Sequence, residues 1–476
     1  MQRSIPEPAG WWRWAALALW ACGSLLWIRA DRVLRDGDEE GHVGAAELFL
    51  SDFNQGSLLG FFERLMLGPM GEYPQLFTAI AGAWWWAMGG GDPAQVAVRA
   101  VCLVSLPVTA LAAGRIAARL GPRSESTGVE FWTVVMVLSL PLSNGLTRHF
   151  MPESAVATAT VLAVLCALRW AERPSVSRSI QLGIVLGLGV LSKQTFVLGA
   201  AAPVAWAMLP RLRSDRARLA LVVLSAVAVA GPWWAANGDQ QVGYASASVA
   251  GHGGFDAWAH AWFYPRSLAL LGLGPVLTIG LLFAAWRGRG NKAWALCAVW
   301  FGVGALILLG IPKKYPRLLL PLLPAVPILI CAAWRPSRGA VRSIALLAAA
   351  WTTWASVSAL PLHVRSPGVD PGCPQQWIRP AIQSDLGLTA AADWLDGAGS
   401  GDVLVLGDPA VPCAVQTTHD WSRHLGPLLR RRGTERAVHT DPDRAHRFVL
   451  EWIETGAATP VEALGIGFDI RDTLQP

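Results

Sequence analysis

Three of the four lysines of this chain, Lys193, Lys313 and Lys314, lie within or between strongly apolar stretches. An ammonium group is costly at that depth and tends to be kept there for a function. Tyr315 and Arg317 follow the lysine pair, and Arg148, His149 and Glu153 stand between two other apolar blocks. Carboxylates gather elsewhere: Asp36, Asp38 and Glu39, with His42, follow the first apolar block, and Glu72 precedes another. Carboxylates facing cations across a membrane-level cavity suit the transfer of a sugar from a lipid-linked phosphate. The departing phosphate needs cations rather than a general acid, and the acceptor nucleophile needs a carboxylate to orient and deprotonate it. The donor arrives through the bilayer, so no nucleotide-binding loop is required. None is present: GxxxxGK[ST] does not occur, and Gly187 and Gly189 read as helix-packing residues.

Each of these groups also has a plainer reading. Asp38 and Glu39 fit a solvated acidic loop, and Glu72 fits a charge favoured at a helix start. Lys193 fits a snorkelling side chain, Lys313 and Lys314 fit headgroup anchors, and His149 fits a packing histidine. The case for chemistry rests on their joint occurrence.

The elements that must position them are membrane helices. The chain has 476 residues, of which 53% are hydrophobic and 15% charged, and its mean hydropathy is +0.38. Roughly 25% charged residues is usual for a soluble domain. The apolar stretches recur in lengths that cross a ~30 Å hydrocarbon core. Residues 1–360 hold 29 basic and 18 acidic residues, whereas residues 361–476 hold 10 basic and 15 acidic. A basic membrane part with an acidic tail points to anionic headgroups rather than nucleic acid.

Arg3 and Arg13 ahead of Trp14–Trp27, with no small-residue cleavage site after it, predict an uncleaved anchor with a cytoplasmic N-terminus. Further spans are expected at 96–114, 131–147, 154–169, 218–236, 267–286, 293–310, 318–334 and 343–360. The stretch 180–209 reads as two short helices meeting at Lys193. Five arginine-rich clusters, around Arg119, Arg173, Arg213, Arg289 and Arg338, then fall on one side. The expected fold is a polytopic α-helical membrane protein of about 11 transmembrane helices, a count read from the spacing of these blocks. Residues 30–95 form a first exoplasmic loop, in which Tyr73–Gly89 is a juxtamembrane or re-entrant helix with Trp84, Trp85 and Trp86 at the interface.

Residues 361–476 read as a small exoplasmic α/β domain, with helices at 386–396 and 419–432 and a buried-type strand at 402–407. Cys373 and Cys413 lie in this tail and are free to pair if it is exported. The other five cysteines fall in apolar blocks as small hydrophobes.

The order of short motifs resembles the GT-C membrane glycosyltransferases, closest to the group of dolichyl-phosphate-mannose protein mannosyltransferases and aminoarabinose transferases. The resemblance is carried by Asp38-Glu39 after the first span, then Glu72-Tyr73-Pro74-Gln75-Leu76, Met88-Gly89 and Arg99. It continues through Arg148–Glu153, Gly183…Gly187-Leu188…Leu191-Ser192-Lys193, and Lys313–Pro324. It runs from residue 1 to about 335, with Gln75 in place of a second Pro and Glu153 where Asp is usual. The resemblance implies that Asp38, with Glu39 beside it, is the catalytic carboxylate. It also implies that Lys193, Lys313, Lys314 and Arg317 bind the lipid phosphate. Glu72, Arg99, Arg148, His149, Glu153 and Tyr315 fall in the matching motifs and are taken as further substrate-binding candidates.

The expected activity is transfer of a sugar from a polyprenyl-phosphate donor to a protein, lipid or glycan acceptor on the exoplasmic face, in a bacterial inner membrane. No Cys/His or Asp/His grouping argues for a bound transition metal, and no organic cofactor is called for. A divalent ion held by carboxylates stays open. The rival readings are a non-catalytic lipid or solute transporter and a degenerate binding scaffold of the same fold. The transporter reading predicts internal repeats, and the two halves show none.

Overall fold

A computed structural model describes residues 11–31, 37–67, 74–89, 97–121, 126–250, 257–311, 315–334 and 338–357, and strands 403–406, 438–439, 448–453 and 467–472. In chain order the helices are α1 (Trp12–Ala30), α2 (Gly37–Asn54), α3 (Leu58–Leu67), α4 (Leu76–Ala87) and α5 (Ala97–Leu120). Next come α6 (Ser126–Leu138), α7 (Pro141–Thr147), α8 (Pro152–Glu172), α9 (Val176–Ser192), α10 (Phe196–Met208) and α11 (Arg216–Ala250). The remainder are α12 (Ala257–Ser267), α13 (Gly274–Arg287), α14 (Lys292–Gly310), α15 (Ala325–Ile328) and α16 (Arg338–Val357).

Among the described residues, four helices are long and apolar enough to cross a membrane, at 98–120, 152–172, 216–241 and 292–310. Two bent pairs raise the number to six: α6 with α7, turned by 64°, and 261–272 with α13, turned by 115°. This is a multi-pass membrane protein. The expected break at Lys193 is present, since α9 stops at Ser192 and Lys193 takes an extended conformation before α10. At 12 residues α4 reaches only about 18 Å, too short for a crossing, and its Trp85 is buried while Trp84 and Trp86 are exposed.

Two expectations give way. The block 318–334 is no regular helix. Prolines 316, 321, 324 and 327 each remove a backbone donor, and the chain passes through a 3-10 turn, one α-turn and a π-turn. Such backbone is tolerated at membrane depth only inside protein, and nearly all of this segment is buried. The helix expected at 218–236 runs on to Ala250 as α11. Just past the expected end, the Asn237 amide donates to the Met66 carbonyl at 2.6 Å and so ties α11 to α3.

Small residues set the helix spacing. A Cβ on Gly187 would meet Val229 of α11 at 2.6 Å, and one on Gly183 would strike the Val222 carbonyl and Ser225, so α9 and α11 lie nearly backbone to backbone. Gly274 (φ +68°) makes the α12–α13 turn against the Trp351 ring, where a side chain would find neither the space nor an easy backbone.

The described bundle has two unlike ends. At one, Arg119 pairs with Glu172 at 2.6 Å, Arg178 donates to the Arg169 carbonyl at 2.7 Å, and Arg211 donates to the Ala171 carbonyl at 3.1 Å. Arg13 meets Glu130 at 2.8 Å, and Asn291 reaches the Ala333 carbonyl at 3.0 Å. These contacts gather the basic clusters at one face, as their spacing requires. Arg99 stands at the opposite end of α5 from Arg119, and Glu153 at the opposite end of α8 from Glu172. Either separation is about 30 Å along a helix, one hydrocarbon thickness.

A second, smaller apolar cluster fastens the first loop to this far end. Val43, Ala46 and Leu50 of α2 and Phe77, Ala81 and Trp85 of α4 pack on Val98, Cys102 and Phe150. The four strands, β1 (Val403–Leu406), β2 (Val438–His439), β3 (Phe448–Ile453) and β4 (Gly467–Asp472), form one sheet in the order β2-β1-β3-β4. β1 is parallel to both neighbours and β4 antiparallel to β3. The VLVL run of β1 thus sits centrally, where a strand paired on both sides is expected. The helices expected at 386–396 and 419–432, Cys373 and Cys413 lie outside the described residues.

Candidate active site

Two charge clusters occupy the end of the bundle opposite the arginine-rich face. The first centres on Glu39 of α2. Arg99 donates from Nε to Glu39 Oε1 at 2.8 Å and from Nη2 to Oε2 at 3.3 Å. The Phe150 amide donates to Oε1 at 2.7 Å, and His149 Nδ1 lies 3.2 Å from Oε2. Arg99 also donates from Nη1 to Asp31 at 2.8 Å. Asp31, Glu39, Arg99 and His149 are all fully buried. Burial alone would raise the Glu39 carboxyl, but the charges of Arg99 and His149 outweigh it and hold it well below the usual carboxylate range.

Four donors fill the lone-pair directions of one carboxylate. Glu39 is therefore a hub that fixes α2 against α5 and the 148–151 turn, and it is ill suited to take up a proton. Arg99, expected to meet substrate, is instead enclosed by two carboxylates. The structure thus joins these two candidates, Glu39 and Arg99, in one buried ion pair. The partner of Asp31 is 68 positions away, and no local signal marks the pair. Arg148 lies over the Trp27 ring, 5.5 Å from its centroid, with Nε 3.5 Å from the Ser24 hydroxyl, and so anchors this turn to α1.

The second cluster centres on Glu153, in the first turn of α8 behind Pro152, where helix geometry favours both residues. Lys193 Nζ donates to Glu153 Oε1 at 2.8 Å, and Arg317 Nε stands 3.3 Å from the same oxygen. Three elements thus meet there: the start of α8, the break between α9 and α10, and the proline-rich turn after Tyr315. Arg317 also covers the Tyr315 ring at 4.6 Å. All three charged groups are buried. Glu153 and Arg317 line a small cavity whose remaining wall is largely apolar, including Leu198, Leu308, Leu318 and Leu322. Gly199 and Gly304 keep this cavity open, since a Cβ on Gly199 would meet Pro321 at 2.7 Å.

The structure brings together Glu39, Arg99, Arg148 and His149 in one cluster and Glu153, Lys193, Arg317 and Tyr315 in the other. The backbone of Asp38 opens α2 one residue before the Glu39 hub; its side chain lies outside the described residues. Glu72, Lys313 and Lys314 also lie outside them. His42, one turn along α2 from Asp38, is buried against Phe77 at 6.4 Å between ring centroids. Among the described residues no group of three or more His, Cys, Asp or Glu side chains is placed to hold a metal ion.

No family model matches this sequence, and none of the curated proteins does. The fold, however, matches solved structures. The crystal structure of ArnT from Cupriavidus metallidurans bound to undecaprenyl phosphate superposes with a TM-score of 0.54 at 15% identity, over 74% of this chain and 66% of that one. An Archaeoglobus fulgidus oligosaccharyltransferase covers 93% of this chain and 68% of its own at 12% identity and a TM-score of 0.49. The arabinosyltransferase EmbB from Mycobacterium smegmatis covers 74% of this chain and 38% of its own, at 15% identity and a TM-score of 0.45. The chain spans just under two thirds of the length of ArnT. At such identities the likeness establishes the fold alone, which this chain shares with ArnT.

Proposed function

We propose that this protein transfers a sugar from a polyprenyl-phosphate donor to an acceptor nucleophile at the end of the bundle opposite its arginine-rich face. The observation that carries the reading is the buried Glu153–Lys193–Arg317 cluster at the head of an apolar cavity. Cations at the mouth of a greasy cleft suit a phosphate on a long hydrocarbon chain, and ArnT, which shares the fold, binds such a lipid.

In this reading Lys193 and Arg317, with Lys313 and Lys314 a few positions before Arg317 in sequence, hold the phosphate and stabilise the charge that grows on it. Asp38 orients the acceptor hydroxyl and takes its proton. The anomeric carbon–oxygen bond to phosphate breaks with its electron pair going to the phosphate oxygen, and the acceptor oxygen forms the new glycosidic bond. The lipid leaves as a phosphomonoester, and the proton passes from Asp38 to solvent. Glu39 and Arg99 keep α2, and so Asp38, in place. The acceptor side is exoplasmic, and the arginine-rich face is cytoplasmic by the positive-inside rule.

The test is sugar transfer from a synthetic polyprenyl-phosphate donor by purified protein. Asp38→Asn keeps shape but removes the base, and turnover is expected to fall by ~10²–10⁴ while donor binding changes little. A folded Asp38→Asn protein with normal turnover removes Asp38 from the mechanism. A wild-type protein that moves the intact lipid across a bilayer without releasing sugar supports the transporter reading instead.

A further inference from the structure

At the end of the bundle opposite the arginine-rich face, Arg99, Lys193 and Arg317 each meet a carboxylate. Arg148 does not. Its polar contacts are the Ser24 hydroxyl, 3.5 Å from Nε, and the Trp27 ring that its guanidinium covers. Among the described residues no carboxylate pairs with it. A hydrogen bond of 3.5 Å is long and weak, yet the side chain is largely withdrawn from water, and burial alone pushes the guanidinium down to about 10. A desolvated cation without an anion is costly. Packing does not account for it, since a neutral side chain would cover the same ring.

The surroundings of the cation do. Trp20, Ser24 and Trp27 share one face of α1. The turn after α7 is fastened to that face, with Trp20 donating to the Asn144 side chain and Arg148 reaching Ser24 and Trp27 one turn later. Ser24 stands seven residues before Asp31, about 10 Å from the end of α1. Leu19, Leu25 and Leu26 of the same helix are exposed, an apolar surface suited to acyl chains. None of the Arg148 nitrogens is walled in without a partner, so the terminal two reach open space. A guanidinium stacked on an indole keeps its in-plane N–H groups for two-point recognition of a phosphate. We propose that Arg148, with Ser24 and Trp27, forms a second phosphate site on the α1 flank, which holds the phosphodiester headgroup of a membrane lipid. This site is separate from the role proposed for Lys193 and Arg317 and does not depend on it. Phe150, two residues on, donates to Glu39, so a lipid seated here braces the turn that holds the Glu39 hub.

The test uses the full-length protein in a maltoside detergent free of phosphate. It is titrated with dioctanoyl phosphatidylglycerol, with dioctanoylglycerol and with inorganic phosphate, and bound molecules are counted by native mass spectrometry. The wild type is expected to hold phosphatidylglycerol and neither of the others at the same concentration. The arginine-rich face also attracts anionic lipid, so the difference between each variant and the wild type is the quantity read. Arg148→Gln should weaken the tightest phosphatidylglycerol binding by about 10- to 100-fold, the worth of a hydrogen bond between charged groups. Ser24→Asp gives Arg148 a carboxylate from within the chain. It should fold, weaken binding by the same factor, and decide the matter if Arg148→Gln does not fold. Lys193→Ala should leave phosphatidylglycerol binding unchanged. Wild-type affinity in Ser24→Asp or in folded Arg148→Gln overturns the site, and a loss in Lys193→Ala instead places the lipid at the Glu153 cluster. Equal binding of dioctanoylglycerol overturns phosphate recognition, and equal binding of inorganic phosphate overturns the lipid as its source.

Discussion

Breaking the Glu39 hub is the most direct way to test how the site is held, and the geometry ranks the damage in advance. Arg99→Met leaves two buried carboxylates, Asp31 and Glu39, without their common cation; Glu39→Gln leaves the Arg99–Asp31 pair intact. Removing one partner of a buried ion pair costs about 3–5 kcal/mol, because the remaining charge stays buried. Glu39→Gln should lie at or below the lower end of that range, since a glutamine carbonyl still accepts from the Phe150 amide. Arg99→Met should lie at the upper end. The double variant should cost less than the sum of the singles, by about 0.5–3 kcal/mol, as expected for groups in one network. The cysteines supply the assay: Cys102, Cys297 and Cys331 are buried and reach a thiol-reactive dye only on unfolding, while the exposed Cys22 reacts at the outset. Heating at a fixed rate in detergent then gives an apparent midpoint for each protein. Equal midpoints for wild type and Arg99→Met, or strictly additive single effects, would refute the hub.

The same hub sets an acid limit: the Glu39 carboxyl is held below its ordinary value, so its stabilisation is complete above the unfolded value of about 4.3. It is lost as pH falls through the lower folded value. The wild-type midpoint should therefore drop toward Glu39→Gln below about pH 4, and parallel curves for the two proteins would contradict this. Gly183→Val drives a side chain into Val222 and Ser225 of α11 and should cost about 1–3 kcal/mol by overpacking. Gly302→Ala, with open space at its Cβ, is the matched control and should leave the midpoint unchanged or raised. Lys193→Ala removes one of the two described cations that meet Glu153, and binding of a polyprenyl monophosphate should weaken about tenfold or more; an unchanged affinity would take Lys193 out of the lipid site.

What could be read from the sequence followed from local periodicity. The break at Lys193 is visible because Ser192-Lys193-Gln194 interrupts an apolar run, and α9 ends and α10 begins around it. The grouping of arginine clusters on one face follows from helix lengths and the position of each Arg, and the contacts of Arg119, Arg178 and Arg211 reproduce it. The segment after Tyr315 has the hydropathy of a span, but hydropathy does not register that four prolines deny it a helical ladder. The length of α11 was hidden for the opposite reason, since its polar end is stabilised by α3 rather than by its own pattern. The Asp31–Arg99 and Glu153–Lys193 pairs join residues 68 and 40 positions apart, a matter of tertiary packing that one chain's spacing does not encode.

The two clusters also show how a motif carboxylate is sorted into structure or chemistry. Both Glu39 and Glu153 are buried, both face arginine, and both fall in matching motifs of the same fold, so residue type and position treat them alike. Their hydrogen bonds do not. Every lone-pair direction of Glu39 is met by a fixed donor, two of them on the turn that leads into α8, which is the condition for rigidity. Glu153 has one oxygen engaged and one turned to a cavity with no donor. A network completed within the chain holds a shape, whereas a network left open at a cavity is completed by whatever enters it. On that criterion we propose the Glu153–Lys193–Arg317 cluster as the place for ligand chemistry and the Glu39–Arg99 hub as the frame that holds α2 against α5.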